Sequence, residues 1–124
     1  MSLKLKNNQR LCSRKDFQYA YHHGHCLRGE WVSLRVAPKA RPLKGHGPQI
    51  GIVVSRRVSK SAVVRNLWKR RIREILREQQ QQLRPENIHV IQARAQKGQP
   101  SYGALKKELL TLFEKARKMV WQNS

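Results

Sequence analysis

The stretch SAVVRNLWKRRIREIL, Ser61–Leu76, decides how the rest of the chain is read. It carries Arg65, Lys69, Arg70, Arg71 and Arg73 against a single acid, Glu74, and its apolar residues recur at helical spacing. Successive residues of an α-helix lie about 100° apart around its axis. On that wheel Val64, Trp68, Ile72 and Ile75 share a narrow sector, flanked by Leu67 and Leu76. Arg65, Asn66, Lys69, Arg70, Arg73 and Arg77 take the opposite side. Arg71 falls in the apolar sector, so its stem is expected on apolar surface with the guanidinium reaching out. Ser61 is a good N-cap. The helix is expected to run to about Gln80 and to fray through Gln79–Gln82, before Pro85 forbids continuation.

The apolar sector accounts for folding; the cationic one does not. A solvated helix face ordinarily intersperses acids four residues from its bases. Here Glu74 and Glu78 are expected on the flank toward the apolar sector, leaving the centre of the cationic face unpaired. A helix lying on a membrane surface would want a broader apolar face and fewer strand neighbours. Arginine outnumbers lysine in the stretch, as phosphate recognition prefers.

Working outward, QIGIVVSRRV before the helix is a strand, with Ile50, Ile52 and Val54 on one face. Before it, HCLRGEWVSLRVAP alternates: Trp31, Ser33 and Arg35 face one way, and Val32, Leu34 and Val36 the other. A short strand over His25–Arg28 precedes that half-buried strand. The loop KARPLKGHGP is short enough to join the two main strands as an antiparallel pair. CSRKDFQYAYHHG reads as a first short helix, with Ser13 and Asp16 as a capping box and Gly24 as its stop. Its Phe17, Ala20 and Tyr21 share a face. After the basic helix, NIHVIQARA is a strand with Ile88, Val90 and Gln92 alternating against His89, Ile91 and Ala93. Ser101 opens a last helix, with Leu105, Leu109, Leu112, Phe113, Ala116 and Val120 at helical spacing. Helix, strands, helix, strand, helix is the pattern of a two-layer α/β sandwich.

The 124 residues fit one domain, with residues 1–10 a loose basic arm. Net charge is +20, from 27 Lys+Arg against 7 Asp+Glu, while 39% of residues are hydrophobic. That is enough apolar mass for a core, and the charge excess repels the folded chain against itself unless a polyanion is present. Nucleic acid is the partner that this charge implies. No apolar run approaches the ~18 residues of a spanning helix, and the N-terminus lacks the apolar segment of a secretory signal. Cys12 and Cys26 show no framework spacing and read as free thiols of a reducing cytoplasm.

The chain is poor in catalytic groups of its own. A two-metal nuclease needs converging carboxylates, whereas the acids here are Asp16, Glu30, Glu74, Glu78, Glu86, Glu108 and Glu114, with no D-x-D or E-x-K pattern on a strand. HHGHC, His22–Cys26, invites a zinc reading, but structural zinc sites pair ligands from two separated knuckles and no second cluster follows. No metal site is expected in the protein. KGHGP has no Walker spacing.

RLCSRKDFQYAYHHG, GIVVSRRVSKSAVVRN and KRRIRE, taken in this order, resemble the bacterial ribonuclease P protein subunit over roughly residues 9–120. Arg65 and Asn66 match the first two positions of that family's Arg-Asn-Arg helix motif. Lys69, Arg70 and Arg73 match its later basic positions, and Leu67 stands where the family usually has its second arginine. The resemblance implies the order αβββαβα and a mixed sheet with a left-handed βαβ crossover, against the general handedness rule. It also implies a non-catalytic protein component of a ribonucleoprotein endoribonuclease, in which a Mg²⁺-dependent catalytic RNA removes the 5′ leader of precursor tRNA. The basic helix, through Arg65, Asn66, Lys69, Arg70 and Arg73, would contact that RNA as a monomer in a 1:1 complex. A cleft between the first helix and the sheet would hold the leader with Phe17, Tyr21, Arg35 and Arg57, Arg35 standing where an aromatic is common in the family. Without the resemblance, Phe17 and Tyr21 read as an ordinary core pair at i,i+4. Two other classes share the charge and size: a structural ribosomal-type rRNA-binding protein, which needs only the basic helix, and a DNA reader, for which no helix-turn-helix partner is evident.

Overall fold

The computed structural model describes residues 14–38, 49–83, 87–95 and 98–122. The elements are α1 (Arg14–His23), β1 (His25–Arg28), β2 (Val32–Pro38), β3 (Gln49–Val53), α2 (Ala62–Glu78), β4 (Asn87–Ala93) and α3 (Tyr102–Gln122), with a 3-10 turn at Gln80–Gln82. This is the expected order αβββαβα. The expected arm at residues 1–10, Cys12, the N-cap Ser13 and Pro85 lie outside the described residues, as does the side chain of Val120.

Strand alternation divides the core in two. Val32, Leu34, Val36, Ile50, Ile91 and Ala93 meet α2 and α3 on one face of the sheet, against Trp68, Ile72, Ile75, Leu105, Leu109 and Phe113. Ala37, Ile88 and Val90 meet α1 on the other, against Ala20, Phe17 and Tyr19. The sheet with α2 and α3 forms the two-layer sandwich, and α1 lies alone on the opposite face. Burying one Leu or Ile fully contributes about 1.5–3 kcal/mol, so the larger cluster dominates folding, while α1 is held by the smaller one.

The strand order is β1-β2-β4-β3. β1 with β2 and β2 with β4 are antiparallel; β3 with β4 is parallel. The expected antiparallel pairing of β2 with β3 is therefore not made: β4 lies between them. β4 is buried along almost its whole length, on both faces, and its polar Asn87 and His89 are buried as well. An apolar strand of that kind loses most by taking an edge, and it takes the centre. The parallel β3–β4 pair makes α2 a crossover between neighbouring strands.

The β1–β2 turn is pinned to α3. The Glu108 carboxylate accepts from the backbone N–H groups of Glu30, Trp31 (2.8 Å) and Val32 (2.9 Å). Gly29 allows this approach, because a Cβ there would come within 2.4 Å of the Glu108 carboxyl carbon. From the other side, Arg94 donates to the Gly29 carbonyl.

Candidate nucleic-acid interface

α2 is built mostly from good helix formers, Ala, Leu, Arg, Lys and Glu, with no Gly or Pro from Ala62 to Glu78. The Ser61 side chain accepts from the Val64 N–H at 3.4 Å, and the Gln79 N–H closes the other end on the carbonyls of Ile75 and Leu76. Trp68, Ile72, Ile75 and Leu76 are buried. Packing that face leaves Asn66 and Arg70 exposed and Lys69 half-buried, with no hydrogen bond or ion pair of theirs among the described residues. Arg73 is half-buried beside them and has a partner of its own.

Arg65 departs from its expected place. It is half-buried and donates to the Ser59 carbonyl at 2.9 Å, clamping the turn that leads into its own helix. Its wheel position borders the apolar sector, so it lies on the flank of α2 instead of opposite the core. Arg71 donates to the Pro100 carbonyl at 3.1 Å, so its guanidinium holds the segment entering α3. Glu78 turns to α3, where it meets Lys106 at 2.8 Å and accepts from the Tyr102 hydroxyl at 3.0 Å. The Lys106 and Tyr102 hydrogen bonds hold the Glu78 carboxyl below its ordinary value. Partial burial, reinforced by the bond to Glu78, pushes the Tyr102 phenol up to about 12. Glu74, expected on the apolar flank with Glu78, instead stays exposed and 4.0 Å from Arg77. The outer face therefore has a cationic centre at Lys69 and Arg70 and one loosely paired arginine at its end.

On the opposite face of the sheet, α1 and β2 bring Tyr21 and Arg35 together. The Arg35 guanidinium lies over the Tyr21 ring, 4.9 Å from its centroid, and donates to the Tyr21 carbonyl at 3.2 Å. The Tyr21 hydroxyl reaches the Gln92 side-chain oxygen at 3.5 Å. Tyr21 is 41% exposed. Phe17 is half-buried against the α1 side of the sheet, so of the expected aromatic pair Tyr21 meets solvent and Phe17 serves mainly as core. Gln92 joins the site unannounced. The alternation of β4 had put it on this face after Ile88 and Val90, and a polar residue ending an apolar row was the available signal. Gly24 makes the α1–β2 junction possible, since a Cβ there would lie 2.4 Å from the Ala20 carbonyl oxygen and 2.7 Å from Arg35 Cγ. Arg57 sits exposed in the Ser55–Val58 turn after β3. Register pairs Val53 with Gln92 and Gln92 with Ser33, so this turn follows the same end of the sheet as Gln92.

Glu108 is engaged in the β1–β2 turn, and Glu114 with Lys118 at 3.7 Å. Among the described residues no three His, Cys, Asp or Glu side chains are grouped to hold a metal ion. Cys26 is free and exposed on β1. No described helix is long and apolar enough to cross a membrane.

A cationic helix face centred on Lys69 and Arg70 and a separate Tyr21–Arg35 pair lie on opposite sides of one mixed sheet. The profile of the Ribonuclease P family matches residues 5–117. This chain belongs to the ribonuclease P protein family. It is 35% identical to the ribonuclease P protein component of a Pseudanabaena species, over 91% of this chain and 95% of that one. It is 37% identical to that of Chlamydia trachomatis serovar L2, over 92% and 90%. Among solved structures, the Staphylococcus aureus RNase P protein superposes with a TM-score of 0.75 at 22% identity, over 87% of this chain and 94% of that one. The Thermotoga maritima protein superposes with a TM-score of 0.72 at 24% identity, over 86% and 96%. At such identities the structures establish the fold, which is shared.

Proposed function

We propose that this chain is the protein subunit of a ribonuclease P, a part of the endoribonuclease that removes the 5′ leader of precursor tRNA, working in the cytoplasm. The outer face of α2 binds the catalytic RNA through Asn66, Lys69, Arg70 and Arg73, with Arg65 at its flank. The α1 face of the sheet holds the single-stranded leader, with Tyr21 and Arg35 as its stacking and charge elements, Phe17 as its wall and Arg57 at its end. Cleavage takes place on the RNA, which carries the Mg²⁺ the chemistry requires. The carrying observation is the outer face of α2, whose central cations Lys69 and Arg70 have no acid partner among the described residues. Phosphate neutralises such a face with release of counterions, and a single strand lies readily over an aromatic in a basic groove.

The test is cleavage of a precursor tRNA by ribonuclease P RNA at low magnesium, with and without this protein. A large rise in leader removal, with none from protein alone, is the expected outcome. Tight RNA binding with no rise would replace this reading with that of a structural RNA-binding protein.

A further inference from the structure

A second cationic site lies away from both surfaces, where α3 meets the β1–β2 turn. There Arg28, Trp31, Lys107, Thr111 and Lys115 line an open cavity of about 340 Å³. Its floor is preformed. The Gly29 N–H bonds the Val32 carbonyl at 2.8 Å, and Glu108 holds the next three N–H groups, so the half-buried Trp31 is fixed at its backbone. Glu30 and Glu108 line the cavity too, so three cations face two carboxylates, one of which, Glu108, is tied to the turn by those bonds.

We infer that this cavity binds one nucleotide of single-stranded RNA, the base against Trp31 and the phosphate between Arg28, Lys107 and Lys115. A fixed aromatic beside cations is the arrangement by which proteins hold single strands regardless of sequence. An acidic peptide would satisfy the cations and leave Trp31 without a planar partner. The choice of RNA as occupant rests on the function proposed above. The site itself is independent of α2 and of the Tyr21–Arg35 pair, since it shares no residue with either.

The test is a titration of the isotope-labelled full chain with a single-stranded oligouridine of about six nucleotides, followed by NMR. Shifts are expected at the Trp31 indole N–H and at the amides of residues 28–31 and 107–115. Thr111→Glu sets a carboxylate one helical turn from both lysines, on an exposed position that tolerates it. It is expected to weaken the response at these residues about tenfold while shifts on α2 persist. Three outcomes would overturn the proposal: shifts on α2 with none at Trp31, shifts at Trp31 indifferent to Thr111→Glu, or the same shifts from inorganic phosphate or an oligoglutamate peptide. No catalytic RNA enters this experiment, so a chain that failed to stimulate leader removal would still show or lack these shifts on its own account.

Discussion

Lys69 and Arg70 have no hydrogen bond or ion pair among the described residues. Both sit on a helix whose opposite side is buried in the core. If the outer face of α2 binds RNA, replacing both with alanine should weaken binding to ribonuclease P RNA. It should also reduce the slope of log affinity against log salt by about 0.7–0.9 for each phosphate that is no longer neutralised. Filter binding over a salt series reads both quantities, and an unchanged slope would remove these residues from the interface. Gly24 is decided by space alone: Gly24→Ala drives a methyl into the Ala20 carbonyl and Arg35 Cγ. A loss of about 1–3 kcal/mol is expected by chemical denaturation, and the Tyr21–Arg35 contact should loosen with it.

Between elements, two polar links carry much of the geometry. Glu108 joins α3 to the β1–β2 turn through three N–H groups. Glu108→Ala strands those donors, and a cost on the order of 2 kcal/mol is expected in equilibrium unfolding. A variant as stable as the parent would mean that water replaces the carboxylate freely. The second link, Glu78 with Tyr102 and Lys106, joins the end of α2 to the start of α3. Its pH dependence has two signs. Glu78 has a depressed folded value, so its contribution is present above the ordinary carboxylate range and is lost as pH falls through the folded value. Tyr102 is raised from 10.0 to about 12, so the folded protein keeps a proton that the unfolded chain releases. Its contribution is full below pH 10.0 and is lost as pH rises toward 12. Ultraviolet titration of tyrosinate should show a late phase near pH 12 that Tyr102→Phe abolishes.

For the whole molecule, the net charge of +20 is the dominant liability. Self-repulsion raises the free energy of the compact state, and anything anionic that binds only the folded form offsets it. Sulfate or phosphate at about 100 times its dissociation constant is expected to stabilise the fold by about 2.7 kcal/mol. Thermal melts in sulfate and in chloride at equal ionic strength separate binding from screening. Identical melts would mean that the cationic faces hold no anion as a site.

The sequence by itself determined the α-helices and the strands β2, β3 and β4, because each has a clear period, whereas β1 and the 3-10 turn at Gln80–Gln82 are too short to show one. Ser61 and Gly24 act where they were expected to, and the separation of an apolar from a cationic sector on α2 follows from spacing. Tertiary structure decided the rest. Sheet order depended on β4 burying both faces, which a period-2 pattern read along one strand does not reveal. Arg65 and Arg71 were drawn from the cationic inventory by carbonyls at Ser59 and Pro100, partners whose positions exist only once the turns are in place. Phe17 and Tyr21 parted roles because α1 crosses the sheet over Ala37, Ile88 and Val90, which covers one ring and leaves the other at the edge. Periodicity is a local property and survives reading in one dimension. Which charge finds a partner, and which aromatic meets water, depends on surfaces brought together from distant parts of the chain.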